Sequence, residues 1–357
     1  MRQISPKVTV GIPVYRGQAY IREAIDSVIK QTYRNWELLI VDDATPDSSV
    51  DIIESISDPR IRLLRNVENL GLVATRNRIL SEASGDFLAW LDQDDLASPH
   101  RLATQVGFLE INPQISICGS FTHTIQQSEA PPDWSHLEIF PKHHNAIRAA
   151  LPFFNPMACN TIMMRLRDIK KLKFEFRSEM GNSLDYDFWS RVSDLLHLEN
   201  IGEPLGTYRI HPSQTSRGAE LRVMQDQALT VQSELMARAL QLPMSESERE
   251  LHRSATQSPL DIQNADHLGS IANWFARLRK QNKIYGAFDK SAFDEMLSRQ
   301  FTSCVLSARH HLHFSSLTWE TVSGMNRIHP GIRPTFRSIL RGLHRRRVQR
   351  PRAMYLS

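Results

Sequence analysis

The chain has 357 residues, 41% of them apolar and 23% charged, with a net charge of +4. This is a globular balance that excludes wholesale disorder, and the length suits roughly two domains of about 150 residues. Three widely spaced cysteines, Cys118, Cys159 and Cys304, exclude a disulfide framework and a C-x-x-C zinc pair, which fits a reducing compartment.

Residues 7–15 (KVTVGIPVY) are rich in β-branched side chains and predict a buried strand that ends at Pro13. Ile21, Ala24, Ile25, Val28 and Ile29 then repeat at helical spacing and give one apolar face. Residues 36–41 (WELLIV) form a second strand that stops at Asp42-Asp43. Residues 47–56 suit a short helix ending before Asp58-Pro59. A third strand over 60–65, a helix over 71–83 closed by Ser84-Gly85, and a fourth strand over 86–91 (DFLAWL) follow. The last runs into Asp92-Gln93-Asp94-Asp95, and a further helix starts near Ser98-Pro99.

Alternating strands and helices imply a mostly parallel sheet with right-handed crossovers, whose ligand site lies beyond the carboxyl ends of the strands. Tyr15 and Arg16, Asp42 and Asp43, and Asp92 to Asp95 occupy those ends. Neither G-x-G-x-x-G after the first strand nor G-x-x-x-x-G-K-[ST] anywhere is present, so dehydrogenases and P-loop enzymes lose their phosphate cradles. A carboxylate-rich crevice takes a diphosphate by another route, through a hard divalent cation that one or two carboxylates hold. Chance supplies roughly one D-x-D per 300 residues, so Asp92-Gln93-Asp94 gains its weight only from ending an apolar strand.

Five segments, taken together, resemble the family 2 glycosyltransferases of the GT-A fold. They are KVTVGIPVYRGQAYIREAIDSVIKQTY, WELLIVDDATPDSS, ENLGLVATRNRILSEASGDFLAWLDQDD, NPMACNTIMMR with LDYDFWSRV, and YRIHPSQTS. SPHRLATQVGFLEINP continues the third, and the match covers residues 7 to about 216. The resemblance implies an α/β GT-A fold, a Rossmann-like nucleotide-diphospho-sugar transferase with a mixed sheet flanked by helices. It also implies inverting, metal-dependent transfer of a sugar from a nucleotide-diphosphate donor, a UDP-sugar above others. The acceptor is expected to be a hydroxyl of a glycan or lipid-linked molecule, in cell-surface polysaccharide synthesis.

The resemblance also assigns roles. Pro13 and Tyr15 border the nucleotide base. Asp43 accepts from a ring N–H of the base; a carboxylate only accepts, so a pyrimidine imide or guanine edge suits it better than adenine. Asp42 is expected to be the structural member of that pair. Arg76 faces the base or diphosphate. Asp92 meets the ribose or the metal, Asp94 is the direct ligand of Mg²⁺ or Mn²⁺, and His211 is a third ligand. Asp185, in Asp185-Tyr186-Asp187-Phe188-Trp189, takes the proton of the acceptor hydroxyl, because an alcohol is a poor nucleophile at neutral pH. The competing reading makes Asp185 an N-cap. Three places depart from the family pattern: Arg16 stands where asparagine is usual, Leu184 where glutamate is frequent, and Ala44-Thr45-Pro46 where a small polar stretch usually follows the aspartate pair.

The catalytic domain is expected over 1–216, with a nucleotide half at 1–100 and an acceptor half at 101–216. A helical appendage is expected over 217–320. Leu221, Met224, Ala228, Val231 and Leu235 give a narrow apolar seam that Pro243 ends, and Ser245 with Glu248 forms a capping box. Ile271, Trp274, Phe275 and Leu278 form a further helical face. Cys304 with His310, His311 and His313 fits no known ligand spacing.

Residues 321–357 hold nine arginines and no Asp, Glu or Lys, which leaves −5 for residues 1–320. Phe336, Ile339, Leu340 and Leu343 add an apolar stripe, so the tail suits an anionic membrane surface. An acidic partner or a disordered tail are the other readings. Nucleic acid is not expected, since no base-reading motif accompanies the charge. The best uncharged run, 149–164, contains Pro152, Asn155, Pro156 and Asn160 and makes a poor membrane span; residues 1–7 show no signal peptide. The expected location is cytoplasmic, peripheral on the inner face of the membrane. Two alternatives stay open: a sugar-1-phosphate nucleotidyltransferase, which lacks its lysine in GIPVYRGQ, and a non-catalytic sugar-nucleotide or carbohydrate-binding module.

Overall fold

A computed structural model of the chain describes residues 5–126, 135–212, 214, 219–257 and 260–308. Two compact units are present, Met1–Leu235 and Met236–Ser357. The arginine-rich tail and His310, His311 and His313 lie outside the described residues.

The first unit begins with the alternation that the apolar pattern dictates. Its first elements are β1 (Val8–Val14), α1 (Ile21–Ile29), β2 (Trp36–Asp42), α2 (Ser49–Glu54), β3 (Ile61–Arg65), α3 (Leu72–Glu82) and β4 (Phe87–Trp90). All seven residues of β1 are buried, as a strand between two parallel neighbours requires. Gly11 lets α3 approach: a Cβ there would sit 2.5 Å from Ile79 Cγ2. The strand does not end at Pro13 but runs to Val14. The Gly11 carbonyl accepts from Leu91 on the β4 side, and pairing with β4 stops at Gly11–Trp90. Pro13 faces that same side beyond the last pair, so its missing N–H costs no ladder bond.

The second half of the unit carries β5 (Leu96–Ala97), α4 (Arg101–Ile111), β6 (Ile115–Gln126), β7 (Ser135–Glu138), α5 (His144–Ala150), β8 (Met163–Arg165), α6 (Leu166–Leu172), α7 (Leu184–Val192) and β9 (His197–Ile210). The sheet order is β3-β2-β1-β4-β8-β6-β9-β5, with β7 on β6. The sheet is therefore mixed, and the expectation of a mostly parallel one holds only for β1 to β4. From β8 onward the pairs are antiparallel except β6–β9. These later strands are not each followed by a crossover helix, so nothing obliges them to run parallel. The main core lies between β1, β2, β4 and the helices α1 and α4.

Helix α8 (Ala219–Leu240) begins in the first unit. Its seam is buried only at Val231 and Leu235; Met224 and Ala228 are half-buried and Leu221 is exposed. The first turns bond polar groups instead: Asn182 donates to Glu220 and to them also belongs the Met224 carbonyl, which accepts from Ser183 Oγ.

The second unit contains α9 (Glu246–Thr256), α10 (Ala265–Tyr285) and α11 (Lys290–Ala308). Ser245 and Glu248 form the capping box at the start of α9. Ile271, Trp274, Phe275 and Leu278 are all buried on α10, and Trp274 Nε1 donates to His252 Nδ1 at 3.0 Å. Cys304 is buried in this helical core.

Candidate active site

Strands β1, β2 and β4 end side by side, with Val14 opposite Asp42 and Gly11 opposite Trp90. Beyond their ends lies a cleft of about 350 Å³, the size of a small-ligand site. Pro13, Tyr15, Asp43, Arg76, Asp92 and Asp94 all line it. His211 reaches it through Asp94. Asp185 is not a lining residue but stands within reach of the Arg76 charge.

Asp43 is almost fully enclosed. Its Oδ1 accepts from Asn66 Nδ2 at 2.6 Å and the Leu70 N–H at 2.9 Å, and its Oδ2 accepts from the Gly71 N–H at 2.8 Å. A carboxylate offers about four acceptor positions, so one remains toward the cleft. Asp42 accepts from the Thr45 N–H at 3.0 Å and thus fixes the turn, while Asp43 fixes the loop 66–71. Both members of the pair hold structure. Gly71 allows this, since its φ of +85° is a conformation that side chains resist. Arg16 also has positive φ, +54°, which explains why asparagine suits that position better than arginine.

Arg76, on the buried side of α3, donates through Nη2 to Asp92 Oδ1 at 2.6 Å and through Nη1 to Cys159 Sγ at 2.8 Å. Burial disfavours its charge, yet Cys159, Asp92 and Asp185 together push its pKa above that of ordinary arginine. Asp94 Oδ2 lies 2.9 Å from His211 Nε2, and the His211 ring packs on Tyr20 at 4.5 Å. Burial and the Asp92 charge push the Asp94 carboxyl up, with His211 pulling it down. Asp95 is fully enclosed; burial, Asp94 and Asp92 push it well up, while the Arg209 N–H donates to its Oδ1.

Three carboxyls crowded this way suit a cation. Asp92 and Asp94 oxygens with an imidazole nitrogen are ligands that Mg²⁺ or Mn²⁺ accepts. Among the described residues no group of three His, Cys, Asp or Glu side chains forms a ready cage. Asp92 Oδ1 is bonded by Arg76 and Asp94 Oδ2 faces His211 Nε2, so a cation held here would need most of its ligands from a diphosphate and water.

Asp185 sits in the first turn of α7, one residue inside the helix, with Ser183 as the N-cap residue. It is therefore not the N-cap itself. Its Oδ1 accepts from the Tyr186 N–H and its Oδ2 from Asn155 Nδ2 at 2.9 Å. Burial pushes its carboxyl up from the ordinary range, while Arg76, the Tyr186 N–H and Asn155 pull it down. Asp187 is buried and bonded by Arg177 and Arg191, a structural clamp. Leu184 is buried too.

Gln93 and Asn155, both neutral amides, stand in segments that carry the resemblance, but no role was assigned to either. Gln93 Oε1 accepts from the Tyr15 N–H at 3.0 Å and its Nε2 donates to the Tyr15 carbonyl at 2.9 Å. This reciprocal pair locks the loop after β1 to the loop after β4. Tyr208 and Gln214, which donates to the Tyr208 hydroxyl at 2.6 Å, close the far wall of the cleft.

A mixed sheet of this order, with an acidic cleft beyond the parallel strands and helices following, is the architecture of a GT-A glycosyltransferase. The family profile of glycosyl transferase family 2 matches residues 9–172. An uncharacterized glycosyltransferase of Haemophilus influenzae is 36% identical over 218 residues, 59% of this chain and 68% of that protein. The UDP-Glc:alpha-D-GlcNAc-diphosphoundecaprenol beta-1,3-glucosyltransferase of Escherichia coli is 40% identical over 102 residues, 29% of this chain and 40% of that one. The crystal structure of residues 1–349 of Staphylococcus aureus TarS with UDP-GlcNAc aligns at a TM-score of 0.54 and 14% identity, covering 92% of each chain. The chain belongs to glycosyl transferase family 2 and is a glycosyltransferase.

Proposed function

We propose that the enzyme transfers a sugar, with inversion, from a UDP-sugar to a hydroxyl of a glycan or lipid-linked acceptor, and that Asp185 is the general base. One observation carries this reading. The cleft wall that would face a diphosphate, Arg76 with Asp92, is the same group whose charge reaches Asp185. Donor and base thus meet around one guanidinium.

In the reaction, the acceptor oxygen bonds to the anomeric carbon as the bond from that carbon to the diphosphate oxygen breaks. The acceptor proton passes to Asp185. Arg76, buried and charged, stabilises the departing negative charge. Asp94 and Asp92, with His211, would hold a divalent cation, which neutralises the diphosphate when bound. Tyr15 and Pro13 border the base, and the open acceptor position of Asp43 suits an imide N–H. The Escherichia coli relative, named for UDP-Glc and a diphosphoundecaprenol acceptor, supports the UDP donor, a lipid-linked acceptor and a place in cell-surface polysaccharide synthesis. No helix among the described residues is long and apolar enough to cross a membrane. The basic tail is the segment proposed to meet an anionic membrane surface, on the cytoplasmic side.

Thermal unfolding tests the donor. UDP-glucose and UDP-GlcNAc with Mn²⁺ should raise the transition, by about 2.7 kcal/mol of stability at a hundredfold excess over Kd. GDP-mannose and ADP-glucose should do so less. Equal protection by every nucleotide sugar, or none by any, counts against the reading.

A further inference from the structure

We propose that Asn155 is the positioning residue of the general base, holding the Asp185 carboxylate by a single directed hydrogen bond. The inference rests on the reading of Asp185 above. It begins with the amide itself. Asn155 Oδ1 accepts from the Met157 N–H at 3.3 Å, and its Nδ2 donates to Asp185 Oδ2 at 2.9 Å. A backbone N–H only donates, so the atom beside it must be the amide oxygen; the amide nitrogen then has to face Asp185. The orientation is fixed by the partners on both sides.

The loop carrying Asn155 is anchored on either side of it. The Phe153 carbonyl accepts from Gln232 Nε2 of α8 at 3.0 Å. The Pro156 carbonyl accepts from Asn200 Nδ2 of β9 at 3.0 Å. Pro152 and Pro156 stiffen the same stretch. Asn155 is therefore presented on a backbone tied to two separate elements, and Asp185 on the first turn of a third. The bond between them is where the loop and the base meet.

Three titratable groups that act on the base come from other elements: Arg76 on α3, Asp92 after β4, and the Cys159 thiol; on its own helix Tyr186 bonds the Leu151 carbonyl and Asp187 is held by Arg177 and Arg191. Arg76 also serves Asp92 and Cys159, so it does not set Asp185 alone. Among the described residues the Asn155 side chain bonds only Asp185 and the Met157 N–H, which makes its effect on Asp185 separable. A neutral donor favours the charged carboxylate and fixes which oxygen is left for the acceptor proton.

The test uses the full chain. The carboxyl of Asp185 is followed by ¹³C NMR in aspartate-labelled protein, its signal assigned by its loss in Asp185→Asn. Asn155→Ala should raise the titration midpoint by about one pH unit, since one lost charge-assisted hydrogen bond is of that size. Asn155→Asp, nearly equal in volume, should raise it further and keeps the test open where the alanine variant fails to fold. UDP release from UDP-glucose with Mn²⁺ should show the acid limb of kcat/KM moving by the same amount, about a tenfold loss below it, with the plateau at high pH retained. A midpoint unmoved in both variants, or a rate lowered equally at all pH values, overturns the positioning role. Full activity in Asp185→Asn overturns the base assignment itself, and is read in the same experiment independently of Asn155.

Discussion

Asp185 and Asp187 are separated by one residue, and their surroundings divide their work. Asp187 is spent on two arginines, whereas half-buried Asp185 stands near the Arg76 charge. Asp185→Asn should lower kcat by about 10²- to 10⁴-fold with donor affinity nearly unchanged, since an amide cannot take a proton and the base meets the acceptor. Steady-state rates and donor titration check this together; a parallel loss of donor affinity would place Asp185 in the donor site. Asp94→Ala should weaken Mn²⁺ and donor binding jointly while leaving the thermal transition in place, because the Asp94 side chain is 23% exposed. Calorimetric titration of UDP-glucose with and without Mn²⁺ reads the coupling, and an unchanged metal dependence removes Asp94 from the cation. Asp43, Asp92 and Asp94 were legible as cleft residues because they follow strands of a parallel alternation, where a ligand crevice is expected. The roles of Gln93 and Asn155 were not, although both stand in quoted segments, since a neutral amide acquires its role only once the fold brings Tyr15 or Asp185 to it.

Elements followed the same division. Residues 7–91 read correctly because apolar periodicity and turn chemistry agree there. Strand β9 was out of reach: it runs fourteen residues with register shifts against β6, and β5 is only two residues long. Long-range pairing, not local propensity, makes them strands. The junction of α5 with β9 has a testable consequence. His144 stacks on His197 at 4.3 Å and its Nδ1 accepts from the Leu198 N–H. Burial, then the neighbouring His197 and Arg148, lowers its pKa to about 4 from the usual 6.5, against the pull of Asp194. The folded chain thus keeps His144 neutral where the unfolded chain takes up a proton. Stability contributed by this site is present above pH 6.5 and is lost as pH falls toward 4. His144→Asn keeps an acceptor without titrating. Between pH 6.5 and 4 its thermal transition should fall less steeply than that of the wild type; identical slopes would show that the histidine does not sense pH.

At the scale of the molecule, the sequence separates an acidic body from a basic end. Deleting residues 321–357 should reduce sedimentation with phosphatidylserine vesicles, and the loss should shrink in high salt, at on the order of 1 kcal/mol per arginine that reaches the surface. UDP release in solution should persist. Equal sedimentation with and without the tail removes the membrane role. The fold class was legible as a whole because five segments in one order constrain far more than each alone; the strand-helix alternation by itself spoke for a mostly parallel sheet, whereas the resemblance implied the mixed one that the pairing of the later strands forms. That pairing has a consequence in time. Tyr208 and Gln214 close a cleft whose opposite wall is set by residue 15, so the two walls are translated some two hundred residues apart. A nascent chain can finish β1 to β4 on the ribosome and still lack the cleft wall of Tyr208 and Gln214 until β9 has emerged and found β6. On the proposed reading of the cleft, a nucleotide sugar would find its whole site only in chains that have completed β9.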